Sequence, residues 1–284
     1  VQQDIYDAGA SGKMRSGTVL FENENHLCVV FNDLVPGEDG VQANQFLVVD
    51  HGQAALIDPG GDLLYTPLWL AITGYAQLQD IRWILTSHQD PDVVGAVGRW
   101  LANTPSQVAC SQLWGRFVPH NVSNYQQGEL GEDRYYLISD GGGKMPLGKS
   151  AMYALPGHFM HSVGNFCFYD PVSRILFSGD IGSSLIPNNE KYQFASSFEQ
   201  HVKRMAGFHR RYMTSNRVLK LWVSMVRQLN PLMIVPQHGL PMKGREMSAF
   251  LSWLYDLECG VDLLKPEHYS LGILKAAGVP LNKI

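Results

Sequence analysis

The sequence lacks any run near the ~20 consecutive apolar residues of a bilayer-spanning helix, so no membrane partner is expected. The amino terminus, Val1 to Met14, is polar and has none of the apolar core of a secretory signal. There is no charge block either. Lys and Arg number 22 against 26 Asp and Glu, for a formal net charge of −4 and a pI of about 6.2, which excludes the broad basic footprint of a nucleic-acid binder. Low-complexity tracts and internal repeats are absent. Cysteine is scarce: Cys28, Cys110, Cys167 and Cys259 are scattered, with no Cys-x-x-Cys pair. That argues against a rubredoxin-like iron site, a zinc ribbon or a disulfide scaffold. Their apolar neighbours, as in Cys28-Val29-Val30 and Phe166-Cys167-Phe168, mark them as core thiols of a cytoplasmic protein.

What is present is enough apolar content, 45%, for a substantial core. The first third is rich in short β-type runs separated by Asn, Asp and Gly: 18–21, 28–31, 45–49 and 54–57. A helix is predicted over 63–72 and a strand over 82–86, then a helix over 93–102 and a strand over 108–110. The second half repeats the order. Strands are predicted at 151–155, 165–169 and 174–177, helices at 194–206 and 216–229, a last strand at 232–236 and a last helix at 245–259. Two mixed halves, each with strands then helices, fit two sheets packed together with helices outside, an α/β fold of the αββα sandwich type. No linker divides them, so residues 18–284 are expected to form a single domain after an N-terminal extension, 1–17.

Candidate ligands sit where strands stop. His88, Asp90 and Asp92 follow one strand, His158 a second, Asp180 a third and His238 a fourth. Imidazole and carboxylate suit iron, zinc or manganese, and the near absence of thiolate disfavours a sulfur-rich site. Gly or Pro flanks nearly all of them, as in Pro156-Gly157, Gly179 and Gly239, and these residues hold rim loops in unusual shapes. Each loop alone reads equally well as a solvated turn or a helix cap. Their recurrence in order, each closing an apolar strand, points to metal.

The chain resembles the metallo-β-lactamase superfamily. The resemblance is carried by 44–49 through Leu56-Ile57-Asp58-Pro59-Gly60, by Thr86-Ser87-His88 with Asp90 and Asp92, and by Leu155-Pro156-Gly157-His158. Phe177-Ser178-Gly179-Asp180 and Pro236-Gln237-His238-Gly239 complete it. The zinc hydrolases of that superfamily carry His-x-His-x-Asp-His in the first loop. Here the second position is Asp90 and the last is Val93, which is similar to the flavodiiron branch. By that resemblance His88, Asp90 and His158 hold the first of two irons, Asp92 and His238 hold the second, and Asp180 bridges them. Zinc or manganese are the alternative metals. His161 is a candidate pocket residue beside the ligands, and Val93 a candidate dry rim of the second metal. Asp58 is read as structural, Arg210, Arg211 and Tyr212 as helix surface, and His26, His51, His120, His201, His209 and His268 as surface or structural.

Flavodiiron reductases continue into a flavodoxin domain. This chain ends at Ile284, too soon after His238 for one, and shows no phosphate loop, so no FMN is expected. A di-iron domain of this kind is similar to the oxygen-binding di-iron proteins. The resemblance implies a protein that binds or senses O2, or NO, works with a signalling or redox partner protein, and forms a homodimer in the cytoplasm. A reductase of O2 or NO fed by a separate flavin or rubredoxin donor is the alternative. A dinuclear hydrolase using metal-bound hydroxide is the third reading.

Overall fold

The computed structural model describes residues 16–32, 34–35, 42–121, 132–187 and 191–282. Strands β1 (Thr18–Glu22), β2 (His26–Asn32), β3 (Asn44–Asp50) and β4 (Gln53–Ile57) pair antiparallel in sequence order. Helix α1 (Tyr65–Ile72) then crosses over to β5 (Ile81–Leu85), which lies parallel to β4. Two short helices, α2 (Pro91–Val94) and α3 (Val97–Asn103), lead to β6 (Gln107–Ser111) and on to β7 (Tyr135–Ile138), closing a seven-stranded sheet. The second sheet has six strands in the order β13-β12-β11-β10-β9-β8. These are β8 (Gly143–Leu147), β9 (Ser150–Pro156), β10 (Phe166–Asp170), β11 (Ile175–Phe177), β12 (Met233–Val235) and β13 (Met242–Lys243). Helices α4 (Phe198–Tyr212), α5 (Asn216–Leu229) and α6 (Gly244–Asp256) cover it, and α7 (Gly272–Ala276) follows. Among the described residues no helix is long and apolar enough to cross a membrane.

Side-chain alternation along each strand explains the layering. In β3, Phe46 and Val48 join the cluster between the sheets while Leu47 joins the cluster under α1 and α3. In β10, Phe166 and Phe168 point between the sheets and Cys167 points toward the helices of the second layer. Phe46 and Phe177 meet across the interior with ring centroids 5.0 Å apart. Strands buried on both faces read as continuous apolar runs, which is why they were easy to find in the sequence.

Several elements differ from the sequence expectation. The helix read over 93–102 is broken, because the Ala96 N–H leaves the helix and donates to Gly60 O at 3.1 Å. Helix α4 begins at Phe198 rather than 194 and runs to Tyr212, where Met213 pairs with Met160 instead of continuing the helix. Strands β7 and β8 had no counterpart in the prediction. Two tyrosines open β7, and Leu137 is exposed, so no clean alternation marks it.

The four cysteines are buried and free. At the pole of the sandwich away from the ligand loops, His26 bridges the sheets. Its Nδ1 lies 2.9 Å from Asp50 and its Nε2 lies 2.7 Å from Asp170, all three being buried. Burial disfavours a charged imidazole, yet the bonds to Asp170 and Asp50 outweigh it and raise His26. Cys28 Sγ approaches the same Asp170 oxygen at 3.5 Å. The 2.7 Å separation is a hydrogen bond, shorter than the roughly 3.3 Å that two ligands keep on one tetrahedral ion. Asp170 also accepts from the Ser173 N–H and hydroxyl, so this cluster is satisfied as an inter-sheet pin.

Candidate metal centre

All the ligand loops emerge at the other pole. The loop after β5 enters α2 with Pro91 at its first turn, a preorganised start that places His88, Asp90 and Asp92 in succession. The β9–β10 hairpin loop brings His158 and His161, the loop after β11 brings Asp180, and the loop after β12 brings His238. The last two loops are tied together: Gln237 N–H donates to Gly179 O at 2.8 Å, and the Asn44 side-chain amide donates to Pro236 O and Gly239 O at 2.9 Å each. Glycine is required in both. Gly179 has φ +56 and lies against Ser87. At Gly239, φ +96, an added Cβ would fall 1.9 Å from Ser184 Oγ.

Asp180 stands at the centre. Its Oδ2 lies 3.9 Å from His88 Nε2 and 3.3 Å from His161 Nε2, while its Oδ1 lies 3.4 Å from His238 Nε2. Asp90 Oδ2 is 3.7 Å from His88 Nε2 and 3.0 Å from His161 Nε2; Asp92 Oδ2 is 3.1 Å from His238 Nε2. Two ligand atoms bound to one ion at about 2.0–2.2 Å lie about 3–4 Å apart, and all six separations fall in that range. The side chains thus form two groups, His88–Asp90–His161 and Asp92–His238, with the two oxygens of Asp180 facing one each.

The sequence reading gave a ligand position to His158 and a pocket position to His161. The structure brings His161 into the cluster and turns His158 away: its Nε2 lies 2.8 Å from the Asp140 carbonyl and its ring stands edge-on to Phe166. The reason is local. Phe159 and His161 both adopt positive φ, +62 and +73, so the loop doubles back after His158 and His161 takes the inner position. Such conformations cost non-glycine residues energy and persist where the surroundings hold them; here the rings of Phe208 and Tyr212 pack 5.5 Å from that of His161. Tyr212, read as helix surface, therefore walls the site. Val93 is fully buried in the apolar cluster beneath α1 and α3, so it packs the layer that supports the ligand loop.

Outer partners fix which nitrogen His238 and His88 present. His238 Nδ1 donates to the Gln42 carbonyl at 2.6 Å, leaving Nε2 toward the carboxylates. His88 Nδ1 bonds Ser87 Oγ at 2.9 Å, and that hydroxyl donates to Asp58 at 2.9 Å. Burial pushes Asp58 up to about 6. His88 Nε2 is left buried with no hydrogen-bond partner while facing two carboxylates, an orphan that a metal ion would satisfy. The imidazoles of His161 and His88 hold Asp90 well below the usual carboxylate range. Burial opposes the charged form of His238, but Asp92, Asp180 and the Gln42 carbonyl outweigh it and raise the imidazole to about 9. Gln237, 3.4 Å from Asp92, and the Asp58–Ser87 pair were not assigned this role from sequence, where nothing in their spacing marks them.

The sequence profile of the ODP family beta lactamase matches residues 41–239. The chain belongs to the ODP family. Its fold matches the solved structure of the chemotaxis sensor ODP from T. denticola in its apo state, with 40% identity, a TM-score of 0.77, and coverage of 87% of this chain and 97% of that one. The same figures hold for a structure described as a peroxy di-iron species of the chemotaxis sensor ODP. The rubredoxin:oxygen oxidoreductase of Desulfovibrio gigas shares the fold at 15% identity, TM-score 0.68, over 84% of this chain and 61% of that one. Among curated sequences, an uncharacterised protein of Methanocaldococcus jannaschii is 22% identical over 206 residues, and the chain spans about half of its length. The metallo-β-lactamase-type αββα sandwich of this ODP-family chain is thus the fold of di-iron proteins.

Proposed function

We propose that this protein binds O2 at a pair of iron ions and reports it to a signalling partner. The observation that carries the reading is Asp180, whose two oxygens face two separate groups of ligand atoms. The first ion would be held by His88, Asp90 and His161, the second by Asp92 and His238, with Asp180 shared. Three carboxylates and three neutral imidazoles bring three negative charges, and anionic oxygen ligands suit the harder ferric state. A reduced iron pair supplies O2 with two electrons of its own, so binding needs no outside reductant whereas turnover does. The protein's residues orient the donors: Ser87 and Gln42 fix the tautomers of His88 and His238.

The 40% identity to a chemotaxis sensor supports sensing over catalysis. Residues 18–284 are inferred to act as one domain, since both sheets contribute ligands to one centre. Four buried free thiols suit a reducing cytoplasm. Exposed apolar residues such as Leu185, Tyr269 and Ile273, each 78–82% exposed, suit a homodimer or a partner surface. The test mixes reduced, iron-loaded protein with O2 in the absence of any donor. One O2 should be taken up per chain and then held. Repeated O2 consumption on adding NADH alone would instead make it a reductase.

A further inference from the structure

His209 lies on α4, outside every ligand loop. It is fully buried, and its ring packs against Phe208, Phe250 and Trp253 with centroids 5.4–6.1 Å away. A buried imidazole needs partners for both nitrogens. Nδ1 finds the Met205 carbonyl one helical turn back, at 2.8 Å, and a carbonyl can only accept, so Nδ1 carries the hydrogen. Nε2 is then a lone pair, and it accepts the Gly182 N–H at 3.0 Å. Burial pushes the imidazole down to about 4, so this acceptor persists at neutral pH.

Gly182 is the third residue of the turn that begins at Asp180. The rest of that turn is closed from within: Ser183 N–H donates to Asp180 O at 3.1 Å, Ser183 Oγ donates to Asp180 Oδ1 at 3.2 Å, and Ser178 Oγ donates to Ile181 O at 2.6 Å. Gly182 has φ +101, a conformation open to glycine, and its amide points out of that turn. The side chain that receives it is His209.

We propose that His209 is a positioning residue for the shared carboxylate: through the Gly182 amide it holds the turn that aims one oxygen of Asp180 at each group of ligands. The inference rests on the two-metal reading above. Helix α4 thus reaches the centre at two places, since Phe208 and Tyr212 pack on His161 while His209 holds the Asp180 turn.

Two amide substitutions separate positioning from packing. Glutamine places its amide where Nε2 lies and keeps an acceptor for Gly182. Asparagine reaches only the position of Nδ1 and leaves that amide unpaired. The metal affinity of metal-free wild type, His209→Gln and His209→Asn would be measured by chelator competition with zinc and with ferrous iron. Outer partners of ligands typically contribute about 10–100-fold in affinity. His209→Asn should lose about ten-fold and His209→Gln should stay within a few-fold of wild type. Equal affinities in folded Gln and Asn variants overturn the proposal. If either variant does not fold, ring 15N shifts of His209 in the wild type decide. Nδ1 protonated, with an Nε2 shift that moves on zinc loading, supports the proposal; an Nε2 shift blind to zinc overturns it. Wild type that binds fewer than two ions would refute the two-metal reading itself, which the same titration reports separately.

Discussion

Replacing His161 tests the ligand set most sharply, because two histidines in one loop compete for the same place. His161 Nε2 lies 3.0 Å from Asp90 and 3.3 Å from Asp180, and His158 instead meets the Asp140 carbonyl. Glycine is the right substitute at 161, since φ +73 would strain an alanine and confuse the outcome. His161→Gly removes one of the four side chains around the first ion. Outer partners contribute about 10–100-fold to metal affinity, so a direct ligand should cost at least the upper end, about 100-fold or roughly 2.8 kcal/mol. His158→Ala should instead lose a single neutral hydrogen bond, about 1 kcal/mol of stability, with both ions retained. The assay is iron per chain after exhaustive dialysis, paired with thermal unfolding of the metal-free proteins. Loss of metal in His158→Ala with full retention in His161→Gly would refute the assignment.

Other consequences follow from the same geometry. Asp180→Ala should empty most of both positions, and Asp92→Ala only the second, as metal analysis would show; equal losses would contradict a shared carboxylate. Asp58→Asn should weaken the first ion about ten-fold through Ser87 and His88, read by chelator competition, whereas a change in solubility alone would return Asp58 to a purely structural role. Loading the metal-free protein at pH 7 should release protons into weak buffer, because His238 is raised to about 9 and must give up its proton to bind. The inter-sheet pin gives a pH signature. His26 is raised, so its contribution is full below the unfolded value of about 6.5 and is lost as pH climbs through the folded value; Asp50 and Asp170 are lowered, so theirs is full above about 3.9 and is lost at more acid pH. His26→Gln should therefore cost most stability, about 3 kcal/mol, between about pH 4 and 6.5, and less above. A deficit independent of pH would contradict a charged pin.

Much of this was legible in the sequence, for physical reasons. Strands buried on both faces, such as β3 and β10, announce themselves as apolar runs, and Asn216–Leu229 shows its helical spacing plainly. The ligand loops were found because each closes such a strand. The choice between His158 and His161 was not legible, since it turns on positive φ at Phe159 and His161, which no residue there advertises. His209 and the Asp58–Ser87 pair were hidden for a different reason. His209 meets the Gly182 amide, and Asp58 meets Ser87, only because the packed sandwich brings distant segments together.

The central claim is a two-iron centre that takes up O2, and one experiment addresses it directly. Protein produced under low oxygen would be analysed for metal, then followed optically before and after air. The account predicts two irons per chain and a near-ultraviolet to visible absorption that appears on exposure to air. Two tightly held zinc ions that excess iron does not displace, with no band in air, would contradict it.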